Sequence, residues 1–287
     1  MKTKQRGSAW SIRLVYRLYR LFGYTFIYYL MYPVSYFYFL KAQNVKEALK
    51  LYYARLGKVM TGKMHHDHLR HFAICLCDRF ISLVAPLDYT YEIEKQEELE
   101  EALHQGGVLL LSHYGGWASA ANCFGHLNLK MNIVMQEVLM QGIKDIEESI
   151  KGTSVSHIHI IDTAKGGIAV TLDIAHALQK RELVAMMADR ATSDKNTKAI
   201  PFLGADGYFN KNPFEIAYKT NQPLIALFVR YVRPQCYVLE YTMMTMNQEK
   251  RMSDEVLRCM HLYAKAFEAS VHAYPQGWFN FYNFWEK

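Results

Sequence analysis

GVLLLSHYGGW, residues 107–117, is the stretch on which the reading of the whole chain turns. A short apolar run that begins at a glycine and stops at Ser112 and His113 predicts a buried strand. Gly115 and Gly116 then turn the chain, and a helical stretch follows from Trp117. A strand delivered through a glycine turn into a helix is the unit from which parallel sheets are assembled.

Downstream the same texture repeats. The runs NIVMQ (132–136), HIHII (157–161), LVAMMA (183–188), PLIALFVRY (223–231) and YVLEYTMM (237–244) alternate with helical patterns near 117–127, 139–150, 166–180, 211–220 and 253–273. This alternation predicts an α/β fold, a mixed, mainly parallel sheet flanked by helices. Ligands on such sheets bind beyond the carboxyl ends of the strands, so chemistry is sought in the residues directly after each run.

Upstream, residues 45–85 read as two helices, with Val45, Leu49, Tyr52, Leu56 and Val59 three or four apart. Before them, LFGYTFIYYLMYPVSYFYFL (21–40) carries no charge, and its length just reaches across a bilayer core of about 30 Å. Three features favour a shallower placement. Pro33 interrupts the run, its tyrosines (Tyr24, Tyr28, Tyr29, Tyr32, Tyr36, Tyr38) prefer the headgroup level, and both flanks are basic. Arg13, Arg17 and Arg20 precede it, and Lys41, Lys46, Lys50, Arg55 and Lys58 follow. The expectation is a broken helix that lies along or dips into one leaflet, with both ends cytoplasmic. Trp10, Ile12, Leu14, Val15, Leu18 and Leu21 interleave with the arginines at helical spacing, as in an interfacial helix. The alternative is a buried core helix. No small-residue cleavage site follows the apolar stretch, which argues against a removed signal peptide. The simplest partition is a membrane-interfacial helical segment over 1–44 and one α/β domain over 45–287.

Composition narrows the classes further. The 287 residues are 51% hydrophobic and 21% charged, with 21 Tyr, 15 Phe and 4 Trp, which excludes disorder, collagen and coiled coil. A mean hydropathy of −0.11 excludes a polytopic membrane protein. The formal charge of +6 is uneven: residues 1–70 hold 13 Lys/Arg and 2 Asp/Glu, and residues 71–287 hold 20 and 25. A basic front points to an anionic surface, and because it borders an aromatic apolar run that surface is expected to be membrane lipid and not nucleic acid. Cys75, Cys77, Cys123, Cys236 and Cys259 form no C-x-x-C pair and fit a reducing cytosolic setting. His65, His66, His68 and His71 cluster around Asp67, but no further ligands complete four-coordination, so no metal or other cofactor is expected. There is neither a G-x-S-x-G elbow nor a P-loop.

The strand ends supply the candidate site. His113, placed before two glycines and a helix start, can reach a substrate hydroxyl or amine, and the amides of Gly115 and Gly116 are expected to stabilise an oxyanion. Other strand ends contribute Asp162, Asp189 with Arg190, and Arg230 with Arg233. Cations near His113 suit a phosphate or a carrier's phosphopantetheine.

Five segments, in order, carry a resemblance. They are the basic aromatic N-terminal helix; SHYGGW (112–117), similar to S-H-F-G-N-W-E; AMMADR (185–190), similar to a segment ending in D-Q; IPFLGADGYFNKNPFEIAYKTNQPLIALFVR (200–230), similar to an F-F-G block with a helical A-x-x-T-G-like stretch; and YPQGWFNFYNFW (274–285), similar to a closing P-x-Q-W tail. Over nearly its whole length the chain resembles the late acyltransferases of lipid A biosynthesis, the lauroyl/myristoyl branch of the lysophospholipid acyltransferase superfamily. The resemblance implies transfer of a fatty acyl group from acyl carrier protein or acyl-CoA to a hydroxyl or amine of a lipid or lipid-like acceptor, at the cytoplasmic face of the cell inner membrane. It also implies a catalytic pair spaced H-x-x-x-x-D/E, in which the histidine takes the acceptor's proton and the acid fixes its tautomer.

His113 matches the family histidine, but the acid position is Ala118. Three accounts follow: another carboxylate orients His113, with Asp189, Asp162 and Glu137 as candidates; the acceptor needs less help; or the protein is catalytically degenerate and serves as a lipid-binding or complex-assembly protein. The neighbouring hydroxyl of Ser119 stabilises an imidazolium poorly. Arg190 stands where the family often has Gln and adds a cation. On this reading His113 and Asp189 are the catalytic candidates, Gly115 and Gly116 the oxyanion donors, and Trp117, Lys165, Arg190 and Arg230 the substrate contacts.

Overall fold

Each of the six apolar runs forms a strand. The structure, a computed structural model, describes residues 9–124, 127, 129–135, 158–191 and 193–286. The expected helix near 139–150 and the candidate Glu137 lie outside the described residues. A seven-stranded sheet has the order β1-β9-β8-β2-β5-β3-β4. Its strands are β1 (Thr90–Ile93), β2 (Gly107–Leu111), β3 (Met131–Met135), β4 (Ile158–Asp162), β5 (Leu183–Met187), β8 (Leu224–Arg233) and β9 (Cys236–Met244). Strands β8, β2, β5, β3 and β4 run parallel, while β9 pairs antiparallel with β8 and parallel with β1. Buried on both faces, β2 and β5 consist of the unbroken apolar runs that such strands require. A separate hairpin of β6 (Thr197–Phe202) and β7 (Ala205–Asn210) had no apolar-run signature.

Alternation along the strands divides the core. On one face Val108, Leu110, Val184, Ala226 and Phe228 pack beneath α6 (Gly167–Gln179), α7 (Asn212–Thr220) and α8 (Met252–Ala273), together with α2 (Gln43–Arg55). On the other, Leu109, Leu111, Ala185, Leu227 and Val229 pack beneath α1 (Ala9–Lys41), α3 (Gly62–Val84) and α4 (Gln96–His104), together with Ala120 of the short α5 (Ala120–Cys123). Helices on both faces of a mostly parallel sheet give the α/β architecture expected.

The break in α1 is not at Pro33. The helix runs through that proline, and the non-helical residue is Gly23, with φ 75° and ψ 179°. A left-handed φ costs glycine nothing, whereas the neighbouring tyrosine or phenylalanine would be strained there. After the break, Ile27 and Met31 are buried against Ile74, Cys77 and Ile81 of α3. Leu21, Phe22, Tyr29, Phe37 and Leu40 stay exposed, and among the described residues no helix is long and apolar enough to cross a membrane. The side chains of Trp10 and Ile12 lie outside the described residues.

The four clustered histidines have separate environments. His68 is fully buried, accepts from the Tyr53 hydroxyl at 3.2 Å and donates to the Trp278 carbonyl at 3.0 Å. His66 meets the Ser35 hydroxyl, His71 the Asp67 carbonyl, and His65 packs on Phe39. Further along α3, buried Asp78 accepts hydrogen bonds from the hydroxyls of Tyr89 and Tyr237. Burial pushes its carboxyl up to about 6, against the opposing effect of the tyrosines. A carboxyl raised on folding contributes stability that is full below the ordinary carboxylate value and is lost as pH rises through its folded value. Asp78→Asn, neutral at every pH, is therefore expected to unfold a few degrees above the wild type at pH 8 and close to it at pH 4, measured by circular dichroism melts.

Candidate active site

The pairing of β2 with β5 sets the geometry. Leu111 is in register with Met187, and the Ala188 amide donates to the Leu111 carbonyl at 2.8 Å. Two residues further along both chains, the same parallel register brings His113 opposite Asp189. The His113 Nδ1–H donates to Asp189 Oδ1 at 2.9 Å, and the His113 amide donates to Oδ2 at 3.1 Å. A carboxylate only accepts, so Nδ1 carries the proton and Nε2 presents its lone pair outward. The imidazole side chain is 27% exposed, and the carboxylate is 0% exposed.

Arg190 completes the electrostatics. Its Nη2 lies 3.5 Å from Asp189 Oδ2 and donates to the Phe279 carbonyl at 3.2 Å, with the guanidinium over the Tyr282 ring. Burial by itself raises the Asp189 carboxyl, but the charge that His113 carries in acid, the Arg190 cation and the hydrogen bonds from His113 hold it well below the carboxylate range. Burial first, and the Arg190 cation second, hold the His113 imidazole below its ordinary value against the opposite pull of Asp189. The resting site is thus an ionised carboxylate beside a neutral imidazole.

The closing segment forms the rest of the wall. The Phe279 amide donates to the His113 carbonyl at 2.8 Å, and the Trp278 indole Nε1–H donates to Asp189 Oδ2 at 3.2 Å. The Trp117 ring lies 5.5 Å from the imidazole, with the Arg79 guanidinium over it at 5.8 Å.

Two of the expected contacts are elsewhere. Lys165 follows β4, three strand positions and about 14 Å from β2, where it pairs with Asp173 of α6 at 3.3 Å. Arg230 lies 3.4 Å from Glu240, whose other oxygen accepts from the Ser270 hydroxyl of α8, so it is turned toward α8. Asp162 caps the turn after β4, accepting from the Ala164 amide.

The glycine amides require a correction. The Gly115 N–H donates to the Gly277 carbonyl at 2.8 Å and the Gly116 N–H to the Val229 carbonyl at 2.9 Å, so neither is free to receive an oxyanion. Space explains these glycines instead. Gly115 has φ 53°, and a Cβ there would run into the Val229 carbonyl oxygen; one on Gly116 would run into the Tyr237 ring. Beyond them, Ala118 is half-buried in a tight turn, and the Ser119 hydroxyl donates to the Gly116 carbonyl at 2.9 Å.

Residues 81–287 match the family described as bacterial lipid A biosynthesis acyltransferase. The chain belongs to that family. The matched span covers all seven strands of the sheet and the His113 group, and it starts near the end of α3. No curated protein matches the chain. Among solved structures, the 1-acyl-sn-glycerophosphate (LPA) acyltransferase PlsC from Thermotoga maritima is similar at 10% identity and a TM-score of 0.42, over 85% of this chain and 97% of that one.

Within this family member, Trp278, Phe279 and Tyr282 join the site without having been singled out individually by sequence. Their signal was the aromatic tail itself, which marks a resemblance but carries no indication of which side chain points where. The two charges beside His113 also make a measurable prediction. Arg190→Gln removes a cation that disfavours the imidazolium, so the His113 titration moves to higher pH, as followed by NMR of the imidazole; a downward shift contradicts this electrostatic arrangement.

Proposed function

We propose that the protein is a membrane-associated acyltransferase that moves a fatty acyl group from an acyl-thioester, on acyl carrier protein or CoA, to a hydroxyl or amine of a lipid or lipid-like acceptor. Family membership supports the reaction class. The observation that carries the reading is the 2.9 Å contact between His113 and Asp189, which gives the imidazole a carboxylate partner although position 118 is alanine. This favours an active enzyme over the catalytically degenerate alternative.

In this reading His113 Nε2 takes the proton from the acceptor O–H or N–H as the acceptor atom bonds to the thioester carbonyl carbon. The carbonyl π electrons pass to oxygen, giving a tetrahedral oxyanion. The oxyanion collapses, the C–S bond breaks, and the leaving thiolate takes the proton back from the imidazolium. Asp189 holds the tautomer and stabilises the imidazolium between these transfers. Arg190 keeps the resting imidazole neutral and offers a cation to a phosphate of donor or acceptor. Trp117 lines the approach.

The exposed face of α1 supports peripheral attachment to the cytoplasmic face of the inner membrane. Leu21, Phe22, Tyr29 and Phe37 stand outward between basic flanks, a pattern that buries apolar surface at the headgroup boundary while cations meet lipid phosphates. Residues 1–44 serve as the membrane-interfacial segment and 45–287 as the catalytic domain.

The test is acyl transfer by the purified protein from acyl carrier protein or CoA thioesters to lipid acceptors, with products identified by mass spectrometry and compared with lipid profiles of cells with and without the gene. The wild type transfers acyl groups, His113→Ala abolishes transfer, and Asp189→Asn slows it by about 10⁴. The acid limb of the rate lies below the ordinary imidazole value, because a neutral His113 is required and its value is depressed. An inactive wild type that gains activity in Ala118→Glu establishes the degenerate reading, and a His113→Ala protein as fast as wild type removes His113 from the mechanism.

A further inference from the structure

The two oxygens of Asp189 are used unequally. Oδ1 meets only the His113 imidazole, at 2.9 Å, while Oδ2 lies 3.2 Å from the same Nδ1 and also receives the His113 amide at 3.1 Å, the Trp278 indole N–H at 3.2 Å and the more distant Arg190 at 3.5 Å. A carboxylate's terminal torsion is broad and sets no sharp orientation by itself, so donors must fix which way its oxygens point. The backbone amide is one such donor. Arg190 is a poor second, because its side chain is 29% exposed and its contact is long.

Trp278 differs from Arg190 in being immobilised on every side. Its side chain is fully buried against Tyr52, Phe202, Phe267 and Phe284, with ring centroids 5.1–5.5 Å away, and its carbonyl accepts from His68. On either side of it, the Gly277 carbonyl accepts the Gly115 N–H and the Phe279 N–H donates to the His113 carbonyl. The indole is therefore fastened to the same stretch of backbone that carries the imidazole.

We propose that Trp278 is a positioning residue for acyl transfer: its indole N–H fixes Asp189 Oδ2 so that Oδ1 stays aimed at His113 Nδ1. This rests on the reading of His113 as the general base. The closing aromatic segment thereby contributes a polar function to a site otherwise built from the ends of β2 and β5, in addition to its packing.

The test replaces the Trp278 indole by benzothiophene, installed as the unnatural amino acid in the full chain, which keeps the bicyclic shape and removes only the N–H; Trp278→Phe is a second variant. Two readouts separate positioning from packing. The kcat falls about tenfold with KM unchanged. The His113 titration, followed by NMR without substrate, moves to higher pH, because a carboxylate with one donor fewer stabilises the imidazolium more strongly. A benzothiophene protein with wild-type kcat and an unmoved titration overturns the proposal, even if Trp278→Phe is destabilised. A moved titration in a protein whose wild type transfers no acyl group supports the fixing of Asp189 and overturns the acyl-transfer reading instead.

Discussion

An ionised carboxylate sealed from water at the end of a buried strand is expensive unless donors and countercharge surround it. Asp189 meets that condition through the amide and imidazole of His113, the guanidinium of Arg190 and the indole of Trp278. Three separate parts of the chain thus converge on one group. The constraint acts in both directions, since the carboxylate is stable only where these donors meet, and the imidazole is oriented only while the carboxylate is held.

The surrounding architecture follows from that requirement. Parallel pairing of β2 and β5 brings the two residues to one level, and the tail after α8 crosses the strand ends to supply the Trp278 indole. Gly115 lets this crossing happen: its missing Cβ allows the chain to lie against the Val229 carbonyl while its amide joins the tail. His68, neutral because burial drives its value down to about 3, braces the same tail from α3. The helix that carries Asp78 and packs on α1 therefore also stabilises the floor of the site, linking the segment proposed to meet lipid with the residues proposed to react.

Much of the sheet was legible because strands buried on both faces must be apolar throughout, as β2 and β5 are. The hairpin of β6 and β7 was not, since Lys198, Pro201 and Asp206 face solvent and interrupt any such run. Within the site, the sequence identified His113 and a short set of candidate acids, but Asp189 lies 76 residues away and only strand register selects it. Strand-end position alone misled for Lys165 and Arg230, because it indicates the level of a residue in the sheet and not its distance across the strands or the face it occupies. The glycine amides misled for a related reason: composition reveals conformational freedom, whereas the use of each N–H depends on a carbonyl arriving from Gly277 or Val229. The break at Gly23 in place of Pro33 shows that a long helix tolerates one missing hydrogen bond more readily than the sequence pattern suggests.

The most direct measurement is the tautomeric state of His113, read from the nitrogen chemical shifts of its ring in the folded wild-type protein at neutral pH. A neutral ring protonated at Nδ1, converting to a mixture of tautomers in Asp189→Asn, is the result predicted by a carboxylate that orients the base. A ring protonated at Nε2, or a full imidazolium at neutral pH, contradicts the account.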